Sequence, residues 1–208
     1  SFTEDTFCTE NDGRWIPVEL QEFEDVDPVT KKPVTRNVYP VEVFFTELRT
    51  GTNYDDEEDR KTSGRNGVGI VTLTYFCKVI KVTCFDPKNK KSITLVVKNN
   101  GADIELIGPE KYTGKTGKTI LEATPDFERF GMTEYTENFI NYFKKHVYDM
   151  AMVTGLKVYF NHELVPVKNL KQYAQTVVGK TTHMVELSAQ DCDVILSERE
   201  PGFGENKI

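Results

Sequence analysis

One stretch interrupts the apolar patterning of this chain more sharply than any other. Thr52-Asn53-Tyr54-Asp55-Asp56-Glu57-Glu58-Asp59-Arg60-Lys61-Thr62-Ser63 holds almost no large apolar side chain. It runs into Gly64, Gly67 and Gly69, spaced G-x-x-G-x-G. An apolar run, Ile70-Val71-Thr72-Leu73-Thr74-Tyr75-Phe76, follows at once. Glycines so spaced remove the Cβ atoms that keep a backbone away from a ligand, and they permit positive φ. A helix beginning at the last of them leaves free N–H groups and a dipole that favour an anion. The stretch reads as a phosphate-cradling lid leading into a helix, so the core must be built from segments on either side.

Those segments carry both helical and strand periods. Val41, Phe44, Phe45 and Leu48 recur at helical spacing after Pro40, which suits a first turn. Beyond the lid, 79–85 and 92–97 read as a strand pair across the turn Asp86-Pro87-Lys88-Asn89. Residues 104–107 predict a third strand. Residues 118–124 predict a fourth, entered from Thr113-Gly114-Lys115-Thr116-Gly117. Upstream, 2–9 reads as a hairpin, Glu10-Asn11-Asp12-Gly13-Arg14 as a turn and 15–18 as extended. The acidic 19–27 predicts a short helix, and the proline-punctuated 28–34 a solvent loop. Downstream, Thr133 is the expected N-cap of a long helix with Phe139, Ile140, Phe143, Val147 and Met150 on one face. A hairpin then spans 156–160 and 164–167, a short helix or turn covers 168–175, and 185–198 alternates loosely like one strand. Helices and mostly antiparallel strands in mixed order make an α+β layered fold.

Several functions are excluded by counting. A chain of 208 residues, 38% hydrophobic, suits one domain with part of another, or two small ones. No run approaches eighteen apolar residues, so no spanning-helix signature is present, and the start lacks a signal-peptide pattern. Cys8, Cys77, Cys84 and Cys192 are scattered, which fits reduced thiols in an intracellular protein. His146, His162 and His183 have no cysteine at zinc-ligand spacing. The net charge of −7 argues against a domain that grips nucleic acid by its own surface, apart from a local patch at Lys88, Lys90 and Lys91. A Walker A loop needs a glycine five positions before Gly-Lys-Thr, but Pro109 and Tyr112 stand there. The dinucleotide fingerprint has the opposite glycine spacing, and no serine-hydrolase elbow occurs.

What remains is a constellation of Asp12-Gly13, Asn53, the three glycines and Thr119. A buried Asp12 carboxylate can accept a hydrogen bond from the exocyclic amine of adenine, worth roughly 1.5–3 kcal/mol, and would reject guanine. Asn-Asp-Gly is equally a common turn, and Thr119 an ordinary strand residue.

Leu48-Arg49-Thr50-Gly51-Thr52-Asn53-Tyr54-Asp55-Asp56-Glu57 with Ser63-Gly64-Arg65-Asn66-Gly67-Val68-Gly69 resembles the ATP lid of eukaryotic and large-virus type II DNA topoisomerases. Glu10 to Val18 resembles the adenine-binding turn of that family. Pro125-Asp126-Phe127-Glu128-Arg129-Phe130-Gly131-Met132, Val147-Tyr148-Asp149 and Lys157-Val158-Tyr159-Phe160-Asn161 resemble further stretches of it. Order and spacing agree from about Phe7 to Tyr173.

The resemblance implies a GHKL (Bergerat) ATPase fold: a two-layer sandwich of a mixed, mainly antiparallel sheet against helices, incomplete at its N-terminus. It implies a nucleotide-binding domain over 1–177 and the first strand of a transducer domain over 178–208. Asp12 and Gly13 would contact adenine, and Gly51, Thr52 and Asn53 the sugar and phosphates. Gly64, Arg65, Asn66, Gly67, Val68 and Gly69 would wrap the triphosphate over Thr119. In such a family ATP closes a homodimer gate for DNA strand passage, in the nucleus or in viral or host cytoplasm. The glutamate-bearing helix that activates water, with its Mg²⁺ asparagine, would precede Ser1, and the transducer lysine would follow Ile208. No catalytic or metal residue is therefore expected within the chain. Trp15 stands where the family has a glycine, Ile70-Val71 replace a pair usually ending in lysine, and 28–36 is longer than the usual connection. The alternative is a truncated or degenerate GHKL module that binds nucleotide weakly or serves protein interaction.

Overall fold

The computed structural model describes residues 1–27, 29–48, 67–179, 183–190 and 192–198. They form two compact units, one within Phe2–Glu134 and one from Tyr135 onward, the latter with Ser1.

In the first unit the chain runs β1 (Phe7–Asn11), β2 (Gln21–Val26), β3 (Pro33–Val38), α1 (Pro40–Thr46) and α2 (Gly69–Tyr75). It continues through β4 (Cys77–Asp86), β5 (Lys91–Lys98), β6 (Asp103–Lys111) and β7 (Lys118–Pro125). Five strands make one antiparallel sheet in the order β1-β7-β4-β5-β6. Alternation along the strands sends Ile80, Val82, Cys84, Ile93, Leu95, Val97, Leu121 and Ala123 to one face, where Val18 and the α1 residues Val41 and Phe45 complete the core. The opposite face carries the cross-strand pair Lys81–Glu122 at 3.0 Å, with Val96 on the other side of Lys81.

Three local expectations for this unit are corrected. Residues 19–27 are not helical; they hold β2, paired with β3 in a hairpin. Asp27 makes that turn by accepting from the N–H groups of Val29 and Thr30 at 2.9 and 2.6 Å, so the supposed solvent loop is a hairpin turn and a strand. Arg36 lies 5.4 Å from the Phe23 ring centroid and pairs with Asp25 and with Glu47, just past α1. The buried face of α1 is also rotated: Val43 is buried while Phe44 and Leu48 are exposed. The helix ends at Thr46, one residue before Glu47 turns extended, so Leu48 cannot continue the stripe.

Asp86, the last residue of β4, is 1% exposed and accepts four modest-length hydrogen bonds. Lys88 and Asn89 N–H groups close the turn at 2.9 and 3.0 Å, the Asn89 amide adds 2.7 Å, and Val18 N–H reaches in at 2.9 Å. Asp at the first position and Pro87 at the second suit this turn. Burial alone would raise the Asp86 carboxyl. Donors from Val18, Asn89 and the Trp15 indole outweigh it and hold the group below the ordinary 3.8.

The second unit comprises α3 (Glu137–Thr154), β8 (Tyr159–Phe160), β9 (Glu163–Leu164), α4 (Leu170–Val178), β10 (Met184–Ser188) and β11 (Asp193–Ser197). Its core gathers Ala151, Val165 and Val167 with Val147, Tyr148, Met152 and Tyr173. The N-cap of α3 is Thr136 rather than Thr133, its hydroxyl accepting from Phe139 N–H at 3.2 Å, and Gly155 ends the helix at φ 65°. Asp149 joins α3 to α4, taking bonds from Lys145 at 2.6 Å and the Tyr173 hydroxyl at 2.7 Å. Residues 185–198 are two strands of a hairpin, not one, closed by Ala189 N–H donating to the Cys192 carbonyl at 2.8 Å.

Asp86→Ala should cost about 3 kcal/mol, since it leaves buried donors unpaired. The carboxyl is depressed on folding, so its contribution is complete above pH about 4 and is lost as pH falls through the folded value. In urea titrations of both chains from pH 7 to pH 3 the gap between them should therefore narrow toward the acidic end. Burial also pushes the Cys77 and Cys84 thiols up to about 11 and about 12. Under native conditions a disulfide reagent should modify Cys8 and Cys192 but reach Cys77 and Cys84 only on unfolding.

Candidate functional site

The register of β7 determines what the site can contain. Thr119 pairs with Asn11 on one side and Cys84 on the other, and Cys84 with Ile93, so the four form one row across the sheet. Thr119 shares the core face with Leu121 and Ala123, yet its hydroxyl oxygen is buried without a conventional hydrogen-bond partner. Only the weak Cys84 thiol leans on it. A buried hydroxyl left so is costly unless something else supplies the bond.

Asp12 and Gly13 follow Asn11 directly, so the strand pairing that seats Thr119 also brings this turn to the same end of the sheet. Asn11 stabilises the turn, its side-chain oxygen accepting from Gly13 N–H at 2.8 Å. Asp12 is exposed rather than buried, and its carboxylate points at no partner among the described residues. Gly67 takes a left-handed φ of 58°, and Gly69 opens α2 with nothing within 4 Å of where a Cβ would stand. Val68 caps α2 without a side-chain bond. No hydrogen bond joins this glycine turn to Asp12 or Thr119 among the described residues. Gly51, Thr52, Asn53, Gly64, Arg65 and Asn66 lie outside the described residues.

Trp15 adds a feature that sequence reading did not locate. Its ring lies over Gly117, where an added Cβ would sit 2.1 Å from the ring carbon Cε3. Gly117 is buried and stands two residues before Thr119. Trp15, which lines one cleft with Asp86, closes the end of the core face just past the Thr119 row. A cleft of 190 Å³ opens beside it, lined by Arg14, Trp15, Pro17, Glu19, Asp86, Lys88 and Asn89. Neither Asp12 nor Thr119 borders that cleft, and it is smaller than the roughly 300 Å³ at which ligand pockets begin. The signal for Asp86 was available in its turn sequence; nothing in one sequence pairs Trp15 with Gly117.

Among the described residues no group of three or more His, Cys, Asp or Glu side chains is placed to hold a metal ion, and no helix is long and apolar enough to cross a membrane.

An antiparallel sheet with α1 and α2 on its core face is the fold of GHKL ATPase domains, and solved structures share it. The ATPase region of Saccharomyces cerevisiae topoisomerase II superposes with a TM-score of 0.69 at 26% identity, over 84% of this chain and 43% of that one. DNA topoisomerase 2 of Invertebrate iridescent virus 6 is 37% identical over 175 residues, and that of Plasmodium falciparum 34% identical over 163. These alignments take in 82% and 78% of this chain but only 15% and 11% of the relatives. The chain belongs to the type II DNA topoisomerases, as a stretch homologous to their ATPase region. No family model matches it.

Gly117→Ala should destabilise the first unit by about 1–3 kcal/mol through overpacking against the ring. Combined with Trp15→Ala the cost should shrink. A double-mutant cycle showing additive effects would dismiss the contact.

Proposed function

We propose that this chain binds ATP as part of a DNA topoisomerase in which nucleotide binding and hydrolysis drive dimer-gate closure and DNA strand passage. The observation that carries the reading is the Thr119 row: a buried hydroxyl with only the weak Cys84 thiol against it among the described residues, beside the Asp12-Gly13 turn, in a chain homologous to topoisomerase ATPase regions. Asp12 accepts from the adenine amine once the base excludes water from the turn, which suits a carboxylate exposed in the free chain. Thr119 supplies its free hydroxyl at the pocket floor, and Gly67, Val68 and Gly69 approach the phosphates closely because two of the three lack a Cβ. Gly51, Thr52, Asn53, Gly64, Arg65 and Asn66 complete the lid. Among the described residues no cluster of His, Cys, Asp or Glu is placed for Mg²⁺, and none of them is proposed as its ligand. Homodimerisation and DNA contact belong to the longer protein, within a cell's interior.

Asp12→Ala should weaken binding of a non-hydrolysable ATP analogue by about 1.5–3 kcal/mol, roughly ten- to a hundredfold, by calorimetric titration. Equal affinities for wild type and variant would remove the adenine role. Thr119→Val, close in shape, should also bind more weakly while keeping its thermal midpoint, because the lost hydroxyl has no conventional partner in the free chain.

A further inference from the structure

The segment Pro125–Met132 gathers at the C-terminal end of α2. Tyr75 ends that helix, and its carbonyl is among those a helix leaves without an internal partner. Arg129 Nη1 donates to it at 2.7 Å and Asn100 Nδ2 at 3.3 Å. The Arg129 guanidinium carbon lies 5.5 Å from the centroid of the Phe76 ring, which packs on Phe130 at 5.6 Å. Asp126 completes the knot. Its N–H donates to the Phe76 carbonyl at 2.9 Å, and its carboxylate takes the Asn100 amide at 3.3 Å and faces Lys78 at 3.8 Å. The β5–β6 turn and the end of β7 thus converge on one helix end.

A helix of seven residues does not hold itself in place; tertiary anchors decide where it lies. Its C-terminal carbonyls carry partial negative charge, and a guanidinium both neutralises that charge and stacks on the adjacent ring. At about 1.5 Å per residue α2 is a rod of roughly 10 Å, so a tilt at Tyr75 displaces the glycine turn at its other end.

We infer that Arg129, seconded by Asn100, is a positioning residue for nucleotide binding: it fixes α2 from behind and thereby places Gly67, Val68 and Gly69. This rests on the ATP-binding reading above. Arg129 is exposed, so its truncation leaves the core intact.

The test compares wild type, Arg129→Ala and Arg129→Lys in the full chain by two measurements. In amide hydrogen exchange, Arg129→Ala should speed exchange across 70–75 about tenfold while β4 and β5 stay as in wild type. In titrations, the same variant should bind a non-hydrolysable ATP analogue about tenfold more weakly and ADP within about twofold, with Arg129→Lys, which keeps the charge but not the stacked guanidinium plane, restoring only part of the loss. Unchanged α2 exchange, or an equal loss for both nucleotides, would overturn the inference. Failure of wild type to bind either nucleotide would instead sink the ATP reading, with exchange still deciding whether Arg129 anchors α2.

Discussion

The pairing of β7 between β1 and β4 is the constraint on which the rest depends. Because side chains alternate with a period of two, one register decides which β7 residues face the core and which face solvent. The observed register puts Leu121 and Ala123 under α1 and leaves Thr119 at the end of the same face. A slip by one residue would turn Thr119 outward and bury Lys118 and Glu122. The register that builds the core therefore also builds the floor of the candidate site.

Beyond Thr119 the core face is covered by no further strand among the described residues, and Trp15 and Asp86 close it. The two line the same small cleft, and several N–H donors already balance the charge of the Asp86 carboxylate. Gly117 permits the ring to lie flat on the backbone. This closure gives Trp15 a packing role at the end of the sheet. The ring is spent on packing against the sheet end, with a small cleft left beside it.

Much of the fold was legible in the chain alone. The β4–β5 hairpin could be read because its alternation and its Asp-Pro-x-Asn turn agree, and α2 because a glycine run precedes an apolar one. Agreement between local signals makes an element readable. The misreadings came where one signal stood alone. Charge density over 19–27 suggested a helix, but Phe23 beneath Arg36 and the Asp27 turn settle a hairpin. Thr133 and Thr136 are equally good caps by type, and only the Phe139 N–H bond selects the second. Within the candidate site, Asp12, Gly13 and Thr119 were singled out by residue type and by family resemblance, while their adjacency at one sheet end is a matter of register.

The sequence by itself determined the class of fold and the family, because periodicity, turn chemistry and motif order are local properties that survive without a partner strand. Only the tertiary structure decided that Thr119 keeps a buried hydroxyl without a conventional partner, that Trp15 rests on Gly117, and that Arg129 reaches the carbonyl of Tyr75. Each of these joins residues between 54 and 102 positions apart or depends on a strand register, and no local pattern encodes such a meeting; it follows from burying one shared face of the sheet.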